Sequence, residues 1–212
     1  MTALPLPCLM LVTEPSRHLP EIVAAAVASG VDIVQWRDKG PASETFDIAW
    51  RLREITDGHC LMVINGQPNY SPYMVRKVSA DGVHQPEDSR YSVEICRAVV
   101  GGGLVGRSVH SVDAACEAAA QGADYLIAGT IFDSQSHPGI APAGLGFLRD
   151  VCAAVSVPVL AIGGVTPQNL ELCLEAGAVG VAVLSPIMRA TDPKTVAQEY
   201  RAALDTAWKE KQ

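Results

Sequence analysis

The stretch Leu160-Ala-Ile-Gly-Gly-Val-Thr-Pro-Gln-Asn-Leu170 and its successor Gly180-Val-Ala-Val-Leu-Ser-Pro186 are two apolar runs, each ending in groups suited to holding a phosphate. A strand that stops at Gly163-Gly164 leaves backbone N–H groups uncovered by side chains, and one that stops at Ser185 adds a hydroxyl donor at the start of a helix. In an eight-stranded parallel barrel the loops after strands 7 and 8 form such a site. The simpler reading is a tight turn between a strand and a helix, capped by Thr166 with Pro167 at its first position. The order of elements along the rest of the chain decides between the two.

Short β-branched runs alternate with longer segments of helical period, the pattern of repeated βα units around a parallel sheet. The strand candidates are Cys8 to Thr13, Ile33 to Arg37, Cys60 to Asn65, Gly82 to His84, Val105 to Val109, Tyr125 to Gly129, Val159 to Ile162 and Gly180 to Leu184. Ser29-Gly-Val-Asp-Ile, Gln121-Gly-Ala-Asp-Tyr and Ala176-Gly-Ala-Val-Gly each put glycine at a helix end just before a strand, where it supplies a left-handed cap. The expected fold is therefore α/β, a single-domain (β/α)8 TIM barrel over residues 1–212, with short loops. A doubly wound open sheet is disfavoured because no G-x-G-x-x-G follows the first strand.

Composition narrows the partners. The charges are 16 basic against 23 acidic, a net of -7. No block of Lys or Arg is present to neutralise a nucleic-acid backbone or an anionic membrane, so neither is an expected partner. Six cysteines (Cys8, Cys60, Cys96, Cys116, Cys152 and Cys173) lie singly in apolar surroundings without zinc spacing. They read as reduced core residues of a cytoplasmic protein. No secretory signal or membrane-spanning run is expected.

In a barrel, the polar residues that end the strands converge on one mouth. Strand 2 ends in Gln35-Trp-Arg37-Asp-Lys39, whose alternation puts an amide, a guanidinium and an ammonium on one side, a set suited to phosphate or pyrophosphate. Strand 3 ends in Asn65-Gly66, strand 4 in His84 with Glu87 and Asp88 beyond, and strand 5 in Arg107-Ser108-Val-His110. Each of these also suits a cap or a turn. Strand 6 runs into a polar loop containing Thr130, Ser134, Ser136 and His137, long enough to act as a lid, and His137 is its best-placed acid or base.

In this order the residues resemble the family that contains thiamine phosphate synthase and its thiazole tautomerase relatives. The elements that carry the resemblance are Gln35-x-Arg37-x-Lys39, Val63-Ile-Asn65, Ala80-Asp-Gly-Val-His84, Gly106-Arg-Ser-Val-His-Ser111, Gly122-Ala-Asp-Tyr125, Gly129-Thr-Ile-Phe132, Ala161-Ile-Gly-Gly164 and Gly180-Val-Ala-Val183. It spans nearly the whole chain. It implies a (β/α)8 barrel with thiazole phosphate at Gly163, Gly164, Leu184 and Ser185. In the synthase, a pyrimidine methyl pyrophosphate ionises with Mg²⁺ assistance and the thiazole nitrogen captures the cation. Gln35, Arg37, Lys39 and Asn65 would hold the pyrophosphate.

Several residues depart from the synthase pattern. Gly66 replaces an aspartate that ligates Mg²⁺, the turn His84-Gln-Pro-Glu-Asp88 is shorter, and His137 replaces a lid lysine. Asn65-Gly66 and Gly106-Arg-Ser-Val-His-Ser111 look closer to the tautomerase branch, although that branch has a histidine where this chain has Thr130. The leading expectation is a metal-independent, tautomerase-like enzyme acting on a thiazole carboxylate phosphate without a cofactor. Its catalytic candidates are His137, Ser108 and Thr130, with His110, Ser134 and Ser136 added to the substrate-binding set.

The alternative is an Mg²⁺-dependent synthase that also takes the pyrimidine pyrophosphate, with the metal on Glu87, Asp88 or the substrate itself. A second alternative is a non-catalytic binder of thiazole phosphate. A phosphosugar isomerase or aldolase is weakened because Lys39 is the only lysine near a strand end. An apolar face on one barrel helix leaves a homodimer open.

Overall fold

The computed structural model describes residues 2–38, 42–65, 71–134, 139 and 141–211. Eight parallel strands close into a barrel in chain order: β1 (Cys8–Val12), β2 (Ile33–Arg37), β3 (Leu61–Asn65), β4 (Gly82–Gln85), β5 (Leu104–Val109), β6 (Tyr125–Gly129), β7 (Val159–Ile162) and β8 (Gly180–Val183). The seam is β1 against β8, with Cys8 opposite Gly180 and Leu11 opposite Val183. The expected barrel is therefore present, and the expected strand limits hold to within a residue.

Alternation along the strands divides the interior in two. Met10, Val12, Ile33, Val63, Leu104, Tyr125, Ile127, Leu160 and Ala182 fill the lumen. Their neighbours in sequence, among them Leu11, Val34, Ile64, Val105 and Leu126, face the helices. Strands covered on both faces favour apolar residues, which is why β1, β6, β7 and β8 read as continuous apolar stretches, whereas β2, β3, β4 and β5 carry their polar residues towards the mouth.

The outer ring comprises α1 (Leu19–Val27), α2 (Ala42–Thr56), α3 (Ser71–Lys77), α4 (Val93–Val100), α5 (Val112–Ala120), α6 (Gly144–Ala154), α7 (Leu170–Glu175) and α9 (Pro193–Lys211), with the short α8 (Ser185–Met188) after β8. Ser92 and Ser111 cap α4 and α5, each hydroxyl accepting a backbone N–H from the first turn. Gly30, Gly122 and Gly177 have positive φ, as the repeated phrase before strands 2, 6 and 8 requires. Among the described residues, no helix is long and apolar enough to cross a membrane.

The aspartates of this phrase, Asp32 and Asp124, together with Asp81 before β4, build a device at the end of the barrel where the strands start. Asp32, Asp81 and Asp124 each precede an even-numbered strand and accept an N–H from the strand before it, from Leu9 at 2.7 Å, Met62 at 2.8 Å and Val105 at 2.6 Å. Each also pairs with an arginine from a helix: Arg201, Arg53 and Arg97 respectively. Before β8 the corresponding residue is Val179. Charge-assisted bonds of this kind contribute roughly 1.5–3 kcal/mol each, and at this end of a barrel they serve stability rather than chemistry.

Two local expectations need correction. Helix α7 begins at Leu170 rather than at Pro167. Thr166 and Pro167 instead sit in a turn closed by Asn169, whose Oδ1 accepts the Thr166 N–H at 2.7 Å while its Nδ2 donates to the Gly164 carbonyl at 3.1 Å. Among the cysteines, all of which are free, Cys116 is exposed on α5 and not part of the core. The run Val-Asp-Ala-Ala-Cys-Glu-Ala-Ala-Ala is so rich in alanine that it scarcely marks which helix face is buried.

Candidate active site

The mouth is formed where the strands end. Register places Gln35 opposite Val63, and Arg37 opposite Asn65, so all three polar residues lie on the lumen side of β2 and β3. Gln35 is buried; its Oε1 accepts from Asn65 Nδ2 at 2.9 Å, and its Nε2 lies 3.4 Å from the Met10 sulfur. The Arg37 N–H donates to Thr13 Oγ1 at 3.0 Å, and the Thr13 N–H donates to the Gln35 carbonyl at 3.0 Å. Thr13 is fully buried. It was not among the residues expected from sequence, where it reads only as the polar end of the first strand.

Close by, Arg189 after α8 grips Glu14 after β1 with two bonds, Nε to Oε1 at 2.8 Å and Nη2 to Oε2 at 3.0 Å. That grip holds the Glu14 carboxyl below the usual carboxylate range, with Arg37 adding to it. The rim therefore carries a neutralised pair beside Arg37.

Across the mouth, Gly163 and Gly164 have φ of +96° and +64°. They also pass under the start of the β6–α6 loop. A Cβ on Gly163 would lie 2.3 Å from Thr130 Cγ2, and one on Gly164 would lie 2.3 Å from the Asp133 carbonyl oxygen. Only glycine satisfies both the conformation and the approach. The Ile131 and Phe132 N–H groups donate to the carbonyls of Ile162 and Gly163, each at 2.9 Å, which ties the root of the loop to the Gly-Gly turn. Among the described residues, neither glycine N–H is used as a donor. Half-buried Leu184 and Ser185 follow β8 beside this turn, with Ser185 opening α8. Ser134 is half-buried farther along the loop. Lys39, Gly66, Ser136 and His137 lie outside the described residues.

Between these two ends, His84 and Ser108 project into the lumen from β4 and β5. His84 Nε2 is 2.8 Å from Ser108 Oγ, and His84 Nδ1 is 3.2 Å from the Tyr125 hydroxyl. Burial pushes the His84 pKa down to about 3, with the Arg107 charge adding to the effect. Arg107 itself faces away from the lumen and staples the β4–α4 loop through the carbonyls of Glu87 and Tyr91. His110 is exposed and turned towards that loop, its N–H and Nδ1 both on Glu87 Oε2. Asp88 is exposed.

A neutral buried histidine makes a thermodynamic prediction. Below about pH 6.5 the unfolded chain protonates His84 while the folded chain does not until about pH 3, so its share of stability is complete above the first value and declines as pH falls between them. His84→Asn is expected to shrink the difference in urea midpoint between pH 7 and pH 5. An unchanged difference would mean that His84 is protonated in the folded protein.

The mouth of this closed barrel thus carries glycines of positive φ after β7, a hydroxyl after β8 and a guanidinium with amides on β2 and β3, the layout of a (β/α)8 barrel enzyme. The family model described as thiamine monophosphate synthase matches residues 9–187, and the chain belongs to that family. It is 40% identical to a thiamine-phosphate synthase of Natronomonas pharaonis over 195 residues, 89% of each chain. To the thiamine-phosphate synthase of Haloarcula marismortui it is 36% identical, over 92% of this chain and 95% of the other. Among solved structures, a thiamine phosphate pyrophosphorylase from Pyrococcus furiosus superposes with a TM-score of 0.82 at 30% identity, covering 94% of this chain and 96% of that one.

These relatives overturn the tautomerase-like expectation. Eight curated relatives at 32–40% identity are all thiamine-phosphate synthases. The geometry gives a reason as well. Thr130, at the position where the tautomerase branch has its histidine, lends its methyl to packing against Gly163 and has no group that carries a proton near neutral pH.

Proposed function

We propose that the chain is an Mg²⁺-dependent thiamine phosphate synthase, joining a pyrimidine methyl pyrophosphate to a thiazole phosphate. The observation that carries this reading is the presence of two anion-suited ends in one mouth, Arg37 with Gln35 and Asn65 on one side and Gly163, Gly164 and Ser185 on the other. Two phosphorylated substrates call for two such ends; a tautomerase acting on one phosphate calls for one.

In this reading the bond from the pyrimidine methylene to the pyrophosphate oxygen breaks, its electron pair leaving with pyrophosphate. The thiazole nitrogen then gives its lone pair to the methylene carbon, and the products are thiamine phosphate and pyrophosphate. Arg37, with Lys39 two residues on, neutralises charge growing on the leaving group, a contribution strongest in a site closed to water. Gln35 and Asn65 position each other and offer amide N–H groups to the same oxygens. Gly163, Gly164 and Ser185 hold the thiazole phosphate so that its ring nitrogen faces the methylene.

The donor set around the mouth fits a cation shared with the pyrophosphate rather than one caged by protein. Among the described residues no three His, Cys, Asp or Glu side chains converge, and Glu87 is engaged by His110, which leaves Asp88 as the protein ligand beside substrate oxygens. When bound, Mg²⁺ would offset charge on the pyrophosphate. The test is thiamine phosphate formation from the two substrates with this protein as sole enzyme. Product with Mg²⁺ and none with excess EDTA is expected. No product, from a preparation that binds thiazole phosphate, would refute the synthase reading and leave a binding protein.

A further inference from the structure

Tyr125 fills the bottom of the lumen and lies fully buried beneath His84, the two ring centroids 5.5 Å apart. Its place depends on Gly106 of the neighbouring strand, where a Cβ would come within 2.1 Å of the Tyr125 ring and 2.5 Å of its hydroxyl oxygen. A glycine in mid-strand weakens a sheet unless something needs the space. Here it is the tyrosine ring.

The hydrogen bonds of this column have one consistent direction. A buried phenol that fails to donate its proton incurs the desolvation cost of that group. Among the described residues, the acceptor found for it is His84 Nδ1, at 3.2 Å. The imidazole is neutral, so with Nδ1 accepting, the ring proton must sit on Nε2, which then donates to Ser108 Oγ at 2.8 Å. Ser108 lies opposite Ile127, a lumen residue, so its side chain also faces inward. With its oxygen accepting from His84, the one proton of Ser108 is directed away from the imidazole and is available to another acceptor. The opposite arrangement would leave the phenolic proton unpaired and turn the serine proton back onto His84.

We propose that Tyr125 is a positioning residue that, through the tautomer of His84, makes Ser108 an obligate hydrogen-bond donor to an anionic oxygen of the bound substrates. The proposal rests on the synthase reading for the identity of that oxygen, and on the geometry alone for the relay. Tyr125 touches no substrate. It acts on the reaction only by deciding which way a hydroxyl two side chains above it points.

The test combines nitrogen-15 NMR of the histidine side chains with a double-mutant cycle. In the wild-type protein at neutral pH, the signals assigned to His84 by their loss in His84→Asn should show a protonated Nε2 and an unprotonated Nδ1. In Tyr125→Phe, which keeps the ring that fills the space beside Gly106, that preference should be lost. The same substitution should lower kcat about tenfold with little change in KM, the effect of one misdirected hydrogen bond in the transition state. In a Ser108→Ala background Tyr125→Phe should cost no further activity, because the group it orients is gone. A protonated Nδ1 in the wild type, or an undiminished cost of Tyr125→Phe without the Ser108 hydroxyl, would overturn the proposal. If the wild type forms no thiamine phosphate, the synthase reading fails, and the nitrogen spectra still decide the relay.

Discussion

Replacing Arg37 by Ala is expected to lower thiamine phosphate formation by about a hundredfold or more, the loss of roughly two charge-assisted hydrogen bonds to pyrophosphate, without shifting the unfolding midpoint. The position of Arg37 is set by its backbone, through the N–H bonded to Thr13 and the pairing of β2 with β3, so removing the side chain leaves the strand end in place. Arg37→Lys keeps the charge but not the planar fork that meets two oxygens at once, and should fall between the parent and the alanine variant. Steady-state kinetics in both substrates, with urea unfolding in parallel, check this. A loss under about threefold would place the pyrophosphate elsewhere in the mouth.

The second large effect concerns closure of the barrel. Gly180→Ala is expected to cost about 4 kcal/mol or more, a sizeable part of the total stability of a domain. An added Cβ would lie 2.1 Å from the Cys8 carbonyl oxygen and 2.8 Å from the Cys8 carbonyl carbon and nitrogen. Those are backbone atoms of the facing strand, which cannot rotate aside as a side chain can. The clash falls on the β1–β8 seam, where the first strand of the chain meets the last. Gly146→Ala is the control: it lies within α6 with nothing inside 4 Å of the new carbon, and the helix should gain up to about 1 kcal/mol. Urea midpoints of the two variants measure the contrast, and equal midpoints would mean that the seam yields.

Much of the fold was legible because each strand of a closed parallel sheet is covered on both sides. Runs such as Tyr125 to Gly129 and Val159 to Ile162 admit no charge and are bounded by Asp124 and Thr130 and by Pro158 and Gly163, so their limits show in the residues themselves. The glycine before strands 2, 6 and 8 was legible for the same kind of local reason, a backbone conformation that a side chain resists. The aspartates of that phrase were visible as a repeat, but their partners were not. Arg201 reaches Asp32 from 169 residues away, and nothing local marks the pair.

The site divided along the same line. Arg37, Asn65 and the glycine pair could be placed at the mouth from sequence because each sits at the end of a strand, with Gln35 two residues before Arg37 on the same face. The tautomerase-like expectation gave local departures from the synthase pattern, Gly66, the shorter turn His84–Asp88 and His137, more weight than a similarity that runs through the whole chain. Thr130, in turn, packs its methyl closely against Gly163, a contact that nothing local in the sequence marks.

By itself the sequence determined the eight βα units, their order around the barrel, and the strand ends at which polar groups gather. These follow from the periods of strand and helix and from the backbone demands of glycine, which act within a few residues. Tertiary structure alone decided which strand-end groups face the lumen and which bond to one another: Arg107 turned outward, Thr13 beneath Arg37, and the column Tyr125–His84–Ser108 made possible by the space at Gly106. Those contacts depend on the register between strands and on the closure of the sheet, and they bring together residues whose separation along the chain carries no trace of the meeting.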